Sequence, residues 1–260
     1  MNKSISLGLK LWSTNYTLAD TASDLIEKGF YSYIELFAVP DSFQDTCFVW
    51  KRQKLPYVIH AAHSASGLNF SKADSRSRNL QLASEAFRFA DQLDADKVIF
   101  HPGLDGNLEE TISQMKSVVD GRMLIENKPA IGLGGEKCIG STVEEVEKII
   151  DETGVGFCLD LGHAICAANV YRVEPFSLIR RFIKLAPRMF HLTDGCFTGT
   201  RDSHLHYGEG DYPLMDLVKI LPIPVILTNE ARRLNMNELF EAIEDSKFLR
   251  AIWAKLHPNN

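Results

Sequence analysis

Residues with metal-ligand chemistry crowd one stretch of this chain. Between Val155 and Asp211 lie C-L-D-L-G-H (Cys158 to His163), F-H-L-T-D-G (Phe190 to Gly195) and R-D-S-H-L-H-Y-G-E-G-D (Arg201 to Asp211). Asp160, His163, His191, Asp202, His204 and His206 fall within 47 residues, and the first two motifs each close a short apolar run. Elsewhere His60, His101, Glu126 and Glu230 follow apolar runs in the same way. A single histidine after a strand ordinarily serves a hydrogen bond, because ligation needs convergent partners. Nine positions obeying one rule (His60, His101, Glu126, Asp160, His163, His191, Asp202, His204 and Glu230) point instead to a shared metal site.

Imidazole and carboxylate without thiolate suit zinc, manganese or iron. Nine ligands exceed what one ion needs. Three ions, each with about three protein ligands and a shared carboxylate, would use them all and leave positions open for water or substrate. Clustered divalent ions make a hydroxide near neutral pH and stabilise attacking and leaving oxygens at phosphorus, which is phosphoester cleavage. A site of one ion on Glu126, Asp160, His191 and Glu230 would instead suit proton or hydride shifts on a sugar. Glu126 and Glu230 would then form the acid/base pair.

The elements that must position these residues read as strands alternating with helices. Period-two or short apolar runs predict strands at Ile5–Trp12, Tyr33–Phe37, Tyr57–His60, Lys97–Phe100, Arg122–Ile125, Gly156–Leu159, Arg188–Leu192 and Val225–Thr228. Helices are expected at Thr17–Lys28, Ser42–Lys54, Asp74–Leu93, Leu108–Val119, from the Ser141 cap to about Glu152, Glu174–Leu185, Pro213–Leu221 and Met236–Trp253. Thr17 or Asp20 would cap the first. The third would bury Leu80, Ala83, Phe87 and Ala90, and Ser141 to Glu144 reads as an S-x-x-E capping box for the fifth. Eight strand–helix units over 260 residues predict an α/β fold, a single-domain (β/α)8 TIM barrel spanning 1–260. An open, doubly wound sheet would carry a glycine turn after the first strand, and Leu11 to Asn15 is not one. In a closed barrel the ligand-type residues gather at one face.

Composition narrows the setting. The chain is 45% hydrophobic and 24% charged, with no linker-like break dividing it. The formal charge of −6 does not exclude a phosphate-bearing partner, because three bound divalent ions would bring the sum to about zero. The N-terminus lacks a signal-peptide h-region, and no apolar run reaches the roughly 18 residues of a membrane span. Five cysteines at irregular spacing, with no C-x-x-C pair, fit reduced thiols in the cytoplasm.

Six motifs carry a family resemblance. I-H-A-A-H (Ile59 to His63), F-H-P-G (Phe100 to Gly103), I-E-N (Ile125 to Asn127), C-L-D-L-G-H, F-H-L-T-D and D-x-H-x-H-x-G-E-G resemble the motifs of endonuclease IV, in order from Ile59 to Glu230. More broadly they resemble the xylose isomerase-like TIM barrels, AP endonuclease family 2. The resemblance implies up to three Zn2+ ions, with Mn2+ or another divalent ion as an alternative. His60, His101 and Glu126 would hold one. Glu126 would bridge to a second, held also by Asp160, His191 and Glu230. His163, Asp202 and His204 would hold the third. Glu126 would position the attacking hydroxide at a DNA phosphodiester. His63 and His206 have no ligand role in this mapping, and His63 is the competitor for His60. The small residues Ala61 to Ala65 replace the family's apolar wedge, and Trp12 to Thr17 lacks its arginine. Both departures argue against abasic DNA as substrate. The expected partner is a phosphorylated or sugar-containing molecule, and the alternative activity is a sugar or sugar-phosphate isomerase or epimerase. Glu35 reads as a structural salt bridge in preference to a site contact. Arg232-Arg233 read equally as a phosphate contact or a solvated loop.

Overall fold

Alternation along the first strand sets the pattern for the whole sheet. In the computed structural model, which describes residues 5–232 and 238–258, Ile5–Trp12 forms strand β1. Seven more strands follow: β2 (Tyr33–Phe37), β3 (Tyr57–His60), β4 (Val98–Phe100), β5 (Met123–Glu126), β6 (Gly156–Asp160), β7 (Met189–Leu192) and β8 (Val225–Asn229). Each pairs in parallel with the next, and β8 returns to β1, where Ile5 opposes Val225. The sheet is closed, so the expected single-domain (β/α)8 barrel is what forms. Among the described residues the helices are α1 (Ala19–Glu27), α2 (Phe43–Arg52), α3 (Arg76–Gln92), α4 (Leu108–Val118), α5 (Val143–Thr153), α6 (Leu161–Tyr171), α7 (Pro175–Ile183), α8 (Leu214–Lys219) and α9 (Phe240–Leu256). None is long and apolar enough to cross a membrane.

Two separate apolar clusters hold the barrel. The larger lies between the sheet and the helices. The smaller takes Tyr33, Val58, Ile99, Leu124, Cys158 and Met189 from β2 to β7, with Ile226 of β8 packed on it. Side chains two apart on a strand share a face. Two residues beyond each member of this inner layer stand Glu35, His60, His101, Glu126, Asp160, His191 and Thr228. The same step on β1 leads from Gly8 to Lys10. The barrel interior is thus an apolar plug with a polar layer directly above it, at the carboxyl ends of the strands.

Several local expectations need correction. The first helix starts at Ala19, after a 3-10 turn at Tyr16–Leu18, and neither Thr17 nor Asp20 caps it. Helix α3 buries Leu82, Ala83, Ala86, Phe89 and Ala90, whereas Leu80 is 44% exposed. Both stripes run at helical spacing, and packing on the sheet selects the one rotated away from Leu80. The cap of α5 is Thr142, not Ser141: its hydroxyl accepts from Glu145 N at 3.2 Å. The Glu145 carboxylate in turn accepts from Gly140 N and Ser141 N. Helix α6 has no counterpart among the expected elements. Leu161 to Ala168 are all buried, so the polar stripe that marks an amphipathic helix is missing. The last helix begins at Phe240, and the expected start at Met236 lies outside the described residues.

Gly8 is where the plug is tightest. A Cβ there would meet the Tyr33 ring at 2.3 Å. The Tyr33 hydroxyl lies 2.8 Å from Thr228 Oγ1, and Thr228 donates to Glu35 at 2.6 Å. Gly8→Ala must push the ring out of this chain. The expected cost is about 1–3 kcal/mol, read as a lower urea midpoint with an unchanged m-value.

Candidate metal centre

Glu126 is the hub of the polar layer. It closes β5 and is 1% exposed. Its Oε2 lies 3.2 Å from His60 Nε2, 3.1 Å from His101 Nε2 and 3.6 Å from His191 Nδ1. Its Oε1 lies 3.0 Å from His163 Nδ1. Four imidazoles from four strand ends therefore meet one carboxylate. Side-chain ligand atoms fall into sets within 4.8 Å of one another: His60, His101 and Glu126; His163, Asp202 and His204; Glu35, His191 and Glu230; Glu126, Asp160 and His163. All nine residues singled out from sequence are brought together. Their grouping differs from the mapping by resemblance at the second ion, where His191 and Glu230 group with Glu35 and not with Glu126. Asp160 sits with Glu126 and His163, not with His191 and Glu230, because its Oδ1 caps α6 by accepting from His163 N at 2.7 Å.

The imidazoles are aimed by partners behind them. His60 Nδ1 contacts Ala61 O at 2.8 Å, His163 Nδ1 contacts Asn127 O at 2.9 Å, and His204 Nδ1 contacts Glu230 O at 3.1 Å. A carbonyl only accepts, so each Nδ1 carries a proton and each Nε2 is turned toward the centre. His191 is held the other way round. Its Nε2 meets Glu35 Oε2 at 2.9 Å, leaving Nδ1 toward Glu230 at 2.9 Å. Glu35 does pair with Lys10, at 3.4 Å, as a salt bridge was expected to, but it also orients this ring. His63 belongs to none of the ligand sets. It stacks on His101 and packs on Phe37, and burial together with His60 pushes it down to about 3.

Five carboxylates crowd the centre. Glu35, Glu126, Asp160, Asp202 and Glu230 all have buried side chains in one mouth. Burial pushes the Asp160 carboxyl up to about 6, against the pull of His163. Burial also opposes charge on His163, but Asp160 and the other carboxylates lift it to about 10. The Glu126 carboxyl is raised by burial, yet His101, Lys128 and His191 outweigh this and hold it well below the usual range. Two buried atoms at the hub, Glu126 Oε1 and His191 Nδ1, have no hydrogen bond. Buried ligand atoms without a hydrogen bond inside an acidic cluster fit a divalent cation, which takes such lone pairs.

Two lysines complete the layer, and neither was singled out from sequence. Lys10 of β1 bonds Glu230 and lies near Glu35, and those carboxylates raise its pKa despite burial. Lys128 Nζ lies 3.3 Å from both His101 Nε2 and His163 Nε2 and 3.8 Å from Glu126 Oε1. The signal for Lys10 was present: it is two residues beyond Gly8 on an alternating strand. Lys128 lies past a strand end and carried no such signal.

The loop from Thr193 to Tyr212 brings Asp202 and His204 over the centre. Asp194 organises it. Its Oδ1 accepts from Gly195 N and Tyr212 N, and its Oδ2 from Gly208 N and Gly210 N, at 2.8 to 3.2 Å. Asp194 and Leu205 exchange backbone hydrogen bonds at 3.0 Å. His204 has φ of +47°, a left-handed conformation unusual for histidine and held by these contacts. Its Nε2 lies 2.8 Å from Asp202 Oδ2. His206 points away, to Asp245 at 2.9 Å. Arg232 pairs with Glu209 at 3.6 Å and lines the mouth, while Arg233 lies outside the described residues.

A groove of two joined cavities, about 320 and 370 Å3, opens over the centre. His63, His101, Lys128, His163 and His204 line both. One arm runs under the Ile131–Lys137 turn, past Pro129 and Leu133; the other runs between Trp12, Phe37 and Arg232.

Residues 49–252 match the model of a family described as xylose isomerase-like TIM barrel. A Thermoplasma volcanium protein named Probable endonuclease 4 is 30% identical over 118 residues, 42% of this chain and 40% of that protein. The chain thus matches about two-fifths of that relative's length. A D-tagatose 3-epimerase-like protein has the same fold, with a TM-score of 0.71 at 17% identity over 97% of this chain and 98% of that one. Endonuclease IV from Thermus thermophilus gives 0.68 at 17% identity over 96% and 99%.

Asp194→Ala removes four acceptor contacts from backbone N–H groups that then have no partner. It is expected to cost about 3–5 kcal/mol and to speed hydrogen exchange across 195–212. Exchange at β3 to β5 should stay as in the parent protein at low denaturant.

Proposed function

The chain belongs to the xylose isomerase-like TIM barrel family, and from that premise we propose that it is a metal-dependent phosphoester hydrolase of the endonuclease IV type. One observation carries this reading: Glu126 joins two ligand sets, one with His60 and His101 and one with Asp160 and His163, and His163 links the latter to Asp202 and His204. A sugar-type centre of one ion has no use for His60, His101, Asp202 and His204. His60, His101 and Glu126 would hold the first ion. Glu126, Asp160, His191 and Glu230 would hold the second, and His163, Asp202 and His204 the third. Zinc suits this set of imidazole and carboxylate, and manganese is the nearest substitute. When bound, such ions supply charge stabilisation at phosphorus and lower the pKa of water.

The chain's own residues supply the rest. Glu126 Oε1 is buried at the hub, 3.0 Å from His163 Nδ1, where it can orient a water and take its proton. Water oxygen bonds to phosphorus, the phosphorus–oxygen bond to the alcohol breaks, and the alcohol oxygen takes a proton as it leaves. Lys10 holds Glu230 in place and offsets its charge. Five free cysteines, four of them buried, support a reducing, cytoplasmic setting.

The size of the groove favours a second reading, a sugar or sugar-phosphate isomerase or epimerase with Glu126 and Glu230 as the acid/base pair. Metal analysis separates the two. The trinuclear centre predicts close to three zinc equivalents in protein purified without chelator, and the loss of about one each in His101→Ala and His204→Ala. A single equivalent untouched by either substitution would sink it. The orienting role of Glu35 predicts that Glu35→Gln weakens zinc retention about 10- to 100-fold in titration against a fluorescent chelator.

A further inference from the structure

Lys128 stands at a junction that the hydrolase reading does not use. Its side chain is 14% exposed and lines both arms of the groove. The backbone there is pinned twice. Asn127 bridges to Asp160 N and O at 2.8 and 2.9 Å, and Lys128 N donates to Gly140 O at 2.9 Å. The ammonium is thus delivered to the centre from a fixed root. It faces His101 Nε2 and His163 Nε2, the lone pairs that cations at the first and third sets would take. Like charges so close repel strongly. A dication at either ring would repel the ammonium, and the space open to it is the groove it already lines.

Charge then selects the ligand. With the imidazoles neutral, as metal ligands must be, the five buried carboxylates and the two ammonium groups, Lys10 and Lys128, leave three negative charges. Three divalent ions and one hydroxide would turn this into an excess of two positive charges. A buried centre strongly disfavours uncompensated charge. A phosphate monoester dianion cancels the excess, whereas a diester monoanion leaves one positive charge over. The groove agrees in size and lining. Cavities of 320 and 370 Å3 suit a small molecule, with Pro129 and Leu133 or Trp12 and Phe37 against its alcohol portion.

Resting on the hydrolase reading, we propose that Lys128 makes this centre selective for a small phosphate monoester, its ammonium taking the negative charge that a diester lacks. Hydrolysis then adds water to the phosphorus–oxygen bond and releases an alcohol and inorganic phosphate.

The test uses the full chain loaded with zinc. Probes are 4-nitrophenyl phosphate, bis(4-nitrophenyl) phosphate and inorganic phosphate, the last followed by isothermal titration. The parent protein should prefer the monoester. Lys128→Met should lower kcat/KM for the monoester about 10- to 100-fold, as expected for one charge-assisted hydrogen bond, with little change for the diester. It should weaken phosphate binding by a similar factor while keeping its full zinc content. Lys128→Arg should restore most of both. A parent preference for the diester overturns the proposal without any variant. So does an equal fall on both esters, or phosphate affinity unchanged in Lys128→Met. Failure of the hydrolase reading looks different: neither ester is cleaved, and the zinc content stays near one equivalent in every variant.

Discussion

Everything in this barrel mouth follows from the cost of crowding carboxylates where water does not reach. Glu35, Glu126, Asp160, Asp202 and Glu230 share one small volume above an apolar plug. Isolated buried charges of this kind neutralise or drive the chain apart. Here histidines and two lysines are placed against them, and Glu126 alone meets four imidazoles. A closed barrel cannot spread to relieve the repulsion, because each strand is hydrogen-bonded on both sides. The carboxylates and imidazoles are therefore held at fixed, short distances from one another.

The sequence was most legible where geometry repeats. The eight strands are found almost residue for residue, since short apolar runs closed by polar residues admit few other structures. The nine ligand-type residues were visible because strand ends in a barrel converge by construction. What the runs hid was their own periodicity. Stepping two residues from Gly8 and Tyr33 reaches Lys10 and Glu35 as surely as stepping from Val58 reaches His60. Glu35 reads first as an ion pair because a carboxylate inside a strand commonly is one. Helix α6 was hidden for the opposite reason: burial all round erases the polar stripe that periodicity detects. The stripe on α3 was ambiguous, because two apolar faces competed and only contact with the sheet chose between them.

Aiming the ligands uses backbone carbonyls and carboxylates behind the rings. Carbonyls of Ala61, Asn127 and Glu230 fix three ring tautomers, and the carboxylate of Glu35 fixes a fourth. Asp160 does two jobs, as a helix cap and as a member of the centre, so the start of α6 and the position of His163 are one structural fact. Asp194 does the same for a loop that has no regular structure of its own. It converts a connection of about 20 residues into a rigid arm by collecting four backbone N–H groups. Local order around the centre is thus electrostatic in origin, as is the centre itself.

One barrel architecture supports many reactions, so the choice among them must lie in the residues of the mouth. The imidazoles and carboxylates decide how many cations can be held. They would say little about the substrate, because every phosphate and every sugar offers oxygen to a metal. Fixed positive charge that no ion can replace is different, since it adds to whatever the ions contribute and must be met by the ligand. Lys10 is spoken for by Glu230 and Glu35. Lys128 faces ring nitrogens whose lone pairs a dication would claim. Of the two, it is the one whose charge is left for the ligand to answer.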